Sequence, residues 1–203
     1  MYIVIEGQDG TGKSTQAELL ADYFRAQGKT VLTLHEPDGE LSQAHDIHDL
    51  ILVKGKDYNL EPITNLLLFT AARCELWNKL AKPVLKKGGI VISARNWWST
   101  LAYQGYGEGI PIKSIKDLTT SLLPKEYVKP EKSAILILSN EERKKREETR
   151  GKTLETFEVK GNEFQDKVNK GYEAIAKDLS IPTIEATGTI EEVNKKLKTL
   201  FQI

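Results

Sequence analysis

Met1-Tyr2-Ile3-Val4-Ile5-Glu6 leads without interruption into Gly7-Gln8-Asp9-Gly10-Thr11-Gly12-Lys13-Ser14-Thr15. The second stretch contains G-x-x-x-x-G-K-[ST], the pattern of a phosphate-binding P-loop. Its glycines let the backbone curl so that several N–H groups face one anion. Lys13 adds a mobile positive charge that can follow a phosphoryl group, and the Ser14 hydroxyl can hold Mg²⁺. A helix starting near Gly12 aims its positive end at the same place. The alternative is a glycine-rich strand-to-helix turn that binds nothing. The flanks argue against it. Tyr2 to Glu6 is a short apolar run suited to a buried strand. Thr15 to Ala26 has helical spacing, with Leu19, Leu20, Tyr23 and Phe24 on one face and Gly28 at its end. Gly7, Gln8, Asp9, Gly10, Thr11, Gly12, Lys13, Ser14 and Thr15 are therefore read as a nucleotide phosphate site.

Outward from this stretch, strands and helices alternate. Lys29 to Leu34 reads as a second strand, ending in the turn-forming His35-Glu36-Pro37-Asp38-Gly39-Glu40. In an open parallel sheet, ligands sit beyond the carboxyl ends of the strands, so this loop is expected to face the P-loop. Leu41 to Val53 reads as a short helix. Its His45 and His48, beside Asp46 and Asp49, hint at a metal site; an exposed polar face is the plainer reading, with no third ligand at a recognisable spacing. Glu61 to Lys87 reads as a long helix with a wide apolar surface, opened by Pro62, kinked by Pro83 and stopped by Gly88-Gly89. Such a surface is either buried or shared with a second chain.

Ile90 to Ser93 reads as a third strand, followed by a polar and aromatic cluster from Arg95 to Gly107 that has the composition of a site wall. The alternative is aromatic core packing, which accounts for one of Trp97 and Trp98. Ile112 to Leu123 reads as a helix, and Ser133 to Leu138 as a central fourth strand. Glu141 to Lys152 is a charge run, either a solvated helix face or an arginine-bearing lid. Asn162 to Leu179 reads as a helix, Ile181 to Glu185 as a fifth strand and Ile190 to Leu200 as a closing helix. This alternation gives an α/β fold, a parallel sheet covered by helices on both faces.

The 203 residues suit one domain spanning 1–203. Lys plus Arg and Asp plus Glu both number 29, so the net charge is zero. That balance gives no support for a nucleic-acid or anionic-membrane partner. Cys74 is the only cysteine, which fits a reducing, cytoplasmic setting. No apolar run approaches the ~20 residues of a membrane span. The strand at the N-terminus is expected to leave no room for a signal peptide.

Several of these residues together resemble the thymidylate kinase (dTMP kinase) family of P-loop nucleoside monophosphate kinases. Asp9 stands two positions after the first P-loop glycine. Glu36-Pro37 is similar to the family's R-E-P-G-G loop. Leu67-Leu68-Phe69-Thr70-Ala71-Ala72-Arg73 is similar to L-L-x-F-x-A-x-R. Arg95, with Ser99-Thr100-Leu101-Ala102-Tyr103-Gln104-Gly105, resembles D-R-x-x-x-S-x-x-A-Y-Q-G. Arg146, Arg150-Gly151, Phe157-Glu158, Phe164, Val168 and Tyr172 agree further on.

The resemblance implies a P-loop NTPase-type sheet of five parallel strands with a short mobile lid at roughly 143–160. It implies transfer of a phosphoryl group from MgATP to dTMP, in dTTP biosynthesis, by a cytoplasmic homodimer joined through the long helices. Lys13, Asp9, Arg95, Arg146 and Arg150 would be catalytic, with Ser14 on the metal. Phe69 would stack on the thymine, Arg73 would donate to a base oxygen, and Thr100 or Gln104 would meet its N3–H edge. Pro37 would lie near the base methyl, and Glu36 would belong to the same dTMP site. Tyr103 would crowd a ribose 2′-OH, Arg95 would hold the acceptor phosphate, and Asp9 would meet the 3′-OH. The P-loop has no arginine, so the transition-state arginine falls to the lid, with Lys152 a further candidate.

Four positions depart from the family's pattern. Ala94 replaces the aspartate before Arg95, Thr156 follows Glu155 where the lid has an aspartate–arginine pair, His35 replaces the arginine before Glu36, and Asp38 replaces a glycine. Ala94 removes a carboxylate that would orient the metal's waters, leaving Asp9 and Glu36 to compensate. The rival readings are a kinase of another acceptor, such as dUMP or a nucleoside, and a nucleotide-binding homologue impaired in catalysis.

Overall fold

The computed structural model describes residues 1–37, 42–139, 141–143, 145–146, 157 and 160–203. Five strands, β1 (Tyr2–Gly7), β2 (Val31–His35), β3 (Ile90–Ala94), β4 (Lys132–Ile137) and β5 (Thr183–Glu185), form one sheet in the order β2-β3-β1-β4-β5. Every pairing is parallel. Sheets of this kind are covered on both sides, so the central strands read as continuous apolar runs. All six residues of β1 are buried. Its side chains alternate: Tyr2 and Val4 enter one core, Ile3 and Ile5 the other.

The Ile3–Ile5 side is closed by α1 (Lys13–Arg25) and the C-terminal α10 (Ile190–Phe201). The inward stripe of α1 is Gln16, Ala17, Leu20, Ala21 and Phe24. Leu19 and Tyr23, expected on that face, are only partly buried; they lie at its margin. On α10, a reciprocal capping box between Thr189 and Glu192 satisfies N-terminal N–H groups.

The Tyr2–Val4 side carries the remaining helices. The expected helix at 41–53 is α2 (Ser42–His48) running into a π-helical segment (Asp49–Val53), with a separate short α3 (Gly55–Tyr58). The expected long helix is α4 (Pro62–Leu76), a π-helical segment (Trp77–Ala81) and α5 (Lys82–Lys86) in one rod. Pro83 does not break it. Proline lacks an N–H, and the widened turn lies just before it, where the Lys82 N–H reaches back to the Trp77 carbonyl. After β3 come α6 (Trp97–Thr100) and a π-helical segment (Leu101–Gly107), then α7 (Ile112–Leu122) and α8 (Lys125–Val128). The long α9 (Gly161–Asp178) packs against them. Both Trp97 and Trp98 are core residues; neither lines a cleft, so the aromatic wall of the site comes from other rings. Among the described residues no helix is long and apolar enough to cross a membrane.

Candidate active site

Beyond the carboxyl ends of β1, β2 and β3, the segments 7–15, 35–37 and 94–104 gather around two adjoining hollows of about 310 and 430 Å³. The smaller is the P-loop's. Gly7, Gly10 and Gly12 all have positive φ, which curls the backbone into a cradle for an anion. At Gly7 nothing larger fits, since a Cβ would stand 2.3 Å from the Leu136 carbonyl oxygen on β4. The Thr11 hydroxyl donates to the Gln8 carbonyl at 2.8 Å, as does Lys13 Nζ. Gln8 Nε2 donates to Gln165 Oε1 at 2.7 Å, tying the loop to α9. Ser14 and Thr15 are exposed on the cavity wall, and Ser14 Oγ lies 3.2 Å from His35 Nδ1.

The two hollows share Asp9, Ser14, His35, Glu36 and Arg95. Asp9 and Arg95 form a close ion pair. Tyr103 donates to the other Asp9 oxygen at 2.7 Å, and Lys13 Nζ is 3.7 Å away. Burial pushes the Asp9 carboxyl up, but Arg95, Lys13 and the Tyr103 hydroxyl outweigh it and hold the group well below the usual carboxylate range. Arg95 Nη1 donates to Ser99 Oγ at 2.9 Å and to Tyr172 Oη at 3.1 Å. Its backbone is left-handed, φ 77, a conformation that a non-glycine residue keeps only where its surroundings enforce it.

Glu6 does much of that enforcing. Fully buried at the end of β1, it accepts from the N–H groups of Asn96 and Ser99 at 2.8 and 3.0 Å, from Ser99 Oγ at 2.9 Å and from Tyr172 Oη at 3.0 Å. It thus anchors the first turn of α6 and the two hydroxyls that hold Arg95. The sequence reading took Glu6 only as a strand end. An acidic residue closing an apolar strand was the available signal, since a buried carboxylate must find donors.

The larger hollow is lined by Pro37, Phe69, Arg73, Tyr103, Gln104 and Phe157, among others. Phe157 and Phe69 lie 5.9 Å apart, and Arg73 sits 5.5 Å over the Phe69 ring. Gln104 Nε2 donates to Glu108 Oε2, whose other oxygen takes Lys160. Of Thr100 and Gln104, the two residues offered for the N3–H edge of a base, Gln104 lines this hollow, and the buried Thr100 hydroxyl accepts from Arg73 Nη1 at 2.8 Å. Glu36 is buried; it accepts from Arg73 Nε at 3.1 Å and from the Tyr127 hydroxyl at 2.6 Å. Burial, partly offset by Arg73 and Tyr127, pushes its carboxyl up to about 7.

Arg146 reaches the phosphate cavity: Nη2 donates to the Ala186 carbonyl at 2.7 Å, and Nη1 lies 3.5 Å from the Gly10 carbonyl. Arg150, Lys152, Glu155, Thr156, Asp38 and most of the expected lid lie outside the described residues. Ala94 lines the phosphate cavity. The carboxylates expected to replace its missing aspartate are each engaged, Asp9 by Arg95 and Tyr103, Glu36 by Arg73 and Tyr127. Just past α2 the structure does bring a third polar partner to the histidines. Asp49 lies 3.3 Å from His48 Nδ1 and 3.7 Å from His45 Nε2, so the three side chains form one cluster, and His48 lines the larger hollow.

The family model for Thymidylate kinase matches residues 5–197. The chain is 35% identical to a thymidylate kinase of Chlorobaculum parvum over 212 residues, covering all of this chain and 95% of that protein. It is 37% identical to one of Wolbachia pipientis over 198 residues, covering 97% and 91%. The chain belongs to the thymidylate kinase family. The crystal structure of a thymidylate kinase from Ehrlichia chaffeensis superposes with a TM-score of 0.77 at 29% identity, over 100% of this chain and 98% of that one. The parallel five-stranded sheet is thus a thymidylate kinase fold, and of the residues that carried the resemblance in sequence Asp9, Glu36, Pro37, Phe69, Arg73, Arg95, Tyr103 and Gln104 line one cleft.

Proposed function

We propose that the protein transfers the γ-phosphoryl group of ATP to dTMP, giving ADP and dTDP, as a step of dTTP biosynthesis. The observation that carries this reading is the junction of the two hollows. Asp9 and Arg95 stand where a phosphate cradle opens into a cleft with an aromatic face, Phe69, and a guanidinium, Arg73. ATP lies with its phosphates on residues 7–15, and the dTMP base lies against Phe69 and Arg73, with Gln104 and Pro37 beside it. Arg95 holds the acceptor phosphate with a planar fork. An oxygen of that phosphate forms the new bond to the γ-phosphorus, and the bond to the ADP oxygen breaks, in line. A phosphate dianion needs no strong base, so positioning and charge neutralisation do the work. Lys13 follows the transferred group, and Arg146 with Arg150 meets its charge from the lid. Asp9 keeps Arg95 in place and meets the 3′-OH; Tyr103 excludes a 2′-OH.

The donor fits Mg²⁺. The Ser14 hydroxyl on the cavity wall is a hard oxygen of the kind that holds Mg²⁺ together with phosphate oxygens. When bound, the ion neutralises charge on the β- and γ-phosphates. A homodimer through the long rod is supported by Ile63 and Leu67, 55% and 52% exposed, one helical turn apart on α4. The lone Cys74 supports a cytoplasmic setting. One domain over 1–203 is supported by a sheet that draws strands from both ends of the chain.

ADP release across nucleoside monophosphates at equal concentration tests the proposal. dTMP is expected to be the fastest acceptor; a faster dUMP, or phosphorylation of an unphosphorylated nucleoside instead, contradicts it. Ala94→Asp places a carboxylate at the phosphate cavity, where the existing ones are engaged. It is expected to raise kcat for dTMP by about tenfold, the scale of a modest gain in transition-state stabilisation. An unchanged rate means that another group fills that role.

A further inference from the structure

Arg73 is the cation that the acceptor cleft offers to a base, and its orientation is set by residues deeper in the fold. Its Nε donates to Glu36 Oε2 at 3.1 Å and its Nη1 to Thr100 Oγ1 at 2.8 Å. The same Glu36 oxygen accepts from the Tyr127 hydroxyl at 2.6 Å. Tyr127 is fully buried and does not line the cleft. Its ring is clamped by Tyr2, stacked at 6.0 Å, and by Trp77, edge-on at 5.4 Å. A buried phenol needs a hydrogen-bond partner, and this one has taken the carboxylate that serves Arg73.

We propose that Tyr127 is a positioning residue for the acceptor: by holding Glu36 it fixes the Arg73 guanidinium, and so sets the cleft's affinity and base selectivity for a pyrimidine nucleotide. This rests on the reading of the larger hollow as the dTMP site. Tyr127 supplies the shortest hydrogen bond to Glu36. Ser93 Oγ reaches Oε1 only at 3.4 Å and donates to the Arg95 carbonyl at 2.7 Å. Without the phenol, the carboxylate keeps Arg73 alone as a close partner, and the pair can swing toward the open cleft.

The charge state of Glu36 makes the relay visible. The titratable groups about it are Arg73 from α4, Tyr127 from α8, and Glu6 and Tyr2 from β1. Burial and Glu6 favour its protonated form; Arg73 and the Tyr127 hydrogen bond favour the carboxylate, and the group titrates at about 7. Removing the Tyr127 hydroxyl takes away support for the carboxylate, so the group protonates at higher pH. The acid-side decline in acceptor binding then moves to higher pH as well.

The test is Tyr127→Phe, which keeps the clamped ring, studied beside Glu36→Gln. Calorimetric affinity for dTMP without ATP is measured with steady-state kinetics between pH 5.5 and 9. Tyr127→Phe is expected to weaken dTMP binding and raise its KM by roughly tenfold or more, the factor of one hydrogen bond to a charged group, with kcat and the ATP KM nearly unchanged. Its acid limb moves up in pH, its preference for dTMP over dCMP shrinks, and Glu36→Gln loses the limb. A wild-type-like affinity with a superimposable pH profile overturns the relay and leaves Tyr127 a packing residue. If the wild type binds dTMP but does not turn it over, the proposed function fails while the binding arm still decides the relay. If it does not bind dTMP, both fall.

Discussion

The two carboxylates of the site illustrate how neighbours decide the behaviour of one residue type. Asp9 is partly buried, but Arg95, Lys13 and the Tyr103 hydroxyl surround it, so its proton leaves far more readily in the folded protein than in the unfolded chain. Its contribution to stability is therefore complete above its unfolded value, near pH ~4, and is lost as the pH falls below it. Glu36 is the reverse case. Burial raises its folded value to about 7, so its contribution is complete below its unfolded value, near ~4.3, and is lost as the pH rises through 7. Urea midpoints followed against pH should show the acid-side slope reduced in Asp9→Asn and the neutral-side slope reduced in Glu36→Gln. Unchanged slopes in both variants contradict the environments assigned to these groups. Arg95 shows the third way in which a residue is fixed here. Its left-handed backbone is held by the Ile5 carbonyl, which accepts its N–H at 3.0 Å, while its side chain is held by Asp9, Ser99 and Tyr172.

At the scale of the element, the P-loop depends on a close approach between β1 and β4. Gly7 pairs with Leu136 across the sheet, and a Cβ at Gly7 would stand 2.3 Å from its carbonyl oxygen. At Gly12, by contrast, a Cβ meets nothing within 4 Å, leaving only the cost of positive φ. Gly7→Ala is expected to destabilise by roughly 2–3 kcal/mol or more and Gly12→Ala by about 1–2 kcal/mol, read from urea unfolding. The opposite ranking contradicts the packing. The P-loop was legible in the sequence because its parts are contiguous: strand, glycines, Lys13 and helix follow one another within a few turns. The rod at 62–86 was legible from apolar spacing, but its π-helical turn was not, because the widening reflects packing around Pro83 and Trp77. Nor could the strands' partners at the site be read. Glu6, Tyr127 and Gln165 act through residues far away in sequence, and no local pattern distinguishes a buried tyrosine that serves a carboxylate from one that only packs.

The whole molecule explains why these parts meet. In the order β2-β3-β1-β4-β5, the chain first builds to one side of β1, with β2 and β3, and then crosses to the other, with β4 and β5. The connections diverge at β1, and a crevice opens beyond the carboxyl ends of the strands there. The P-loop floors that crevice; the loops after β2 and β3 bring Glu36, Pro37 and Arg95 to one wall, and the rod brings Phe69 and Arg73 to another. The two hollows thereby meet at the Asp9–Arg95 pair, the arrangement that the proposed transfer between two nucleotides requires. The most direct measurement is chromatographic detection of dTDP after mixing the purified protein with ATP, Mg²⁺ and dTMP, alongside Lys13→Ala. The account predicts stoichiometric dTDP and ADP from the wild type and a rate at least roughly 10²-fold lower in the variant. Folded wild-type protein that forms no dTDP, or a Lys13→Ala variant that forms it at the wild-type rate, would contradict it.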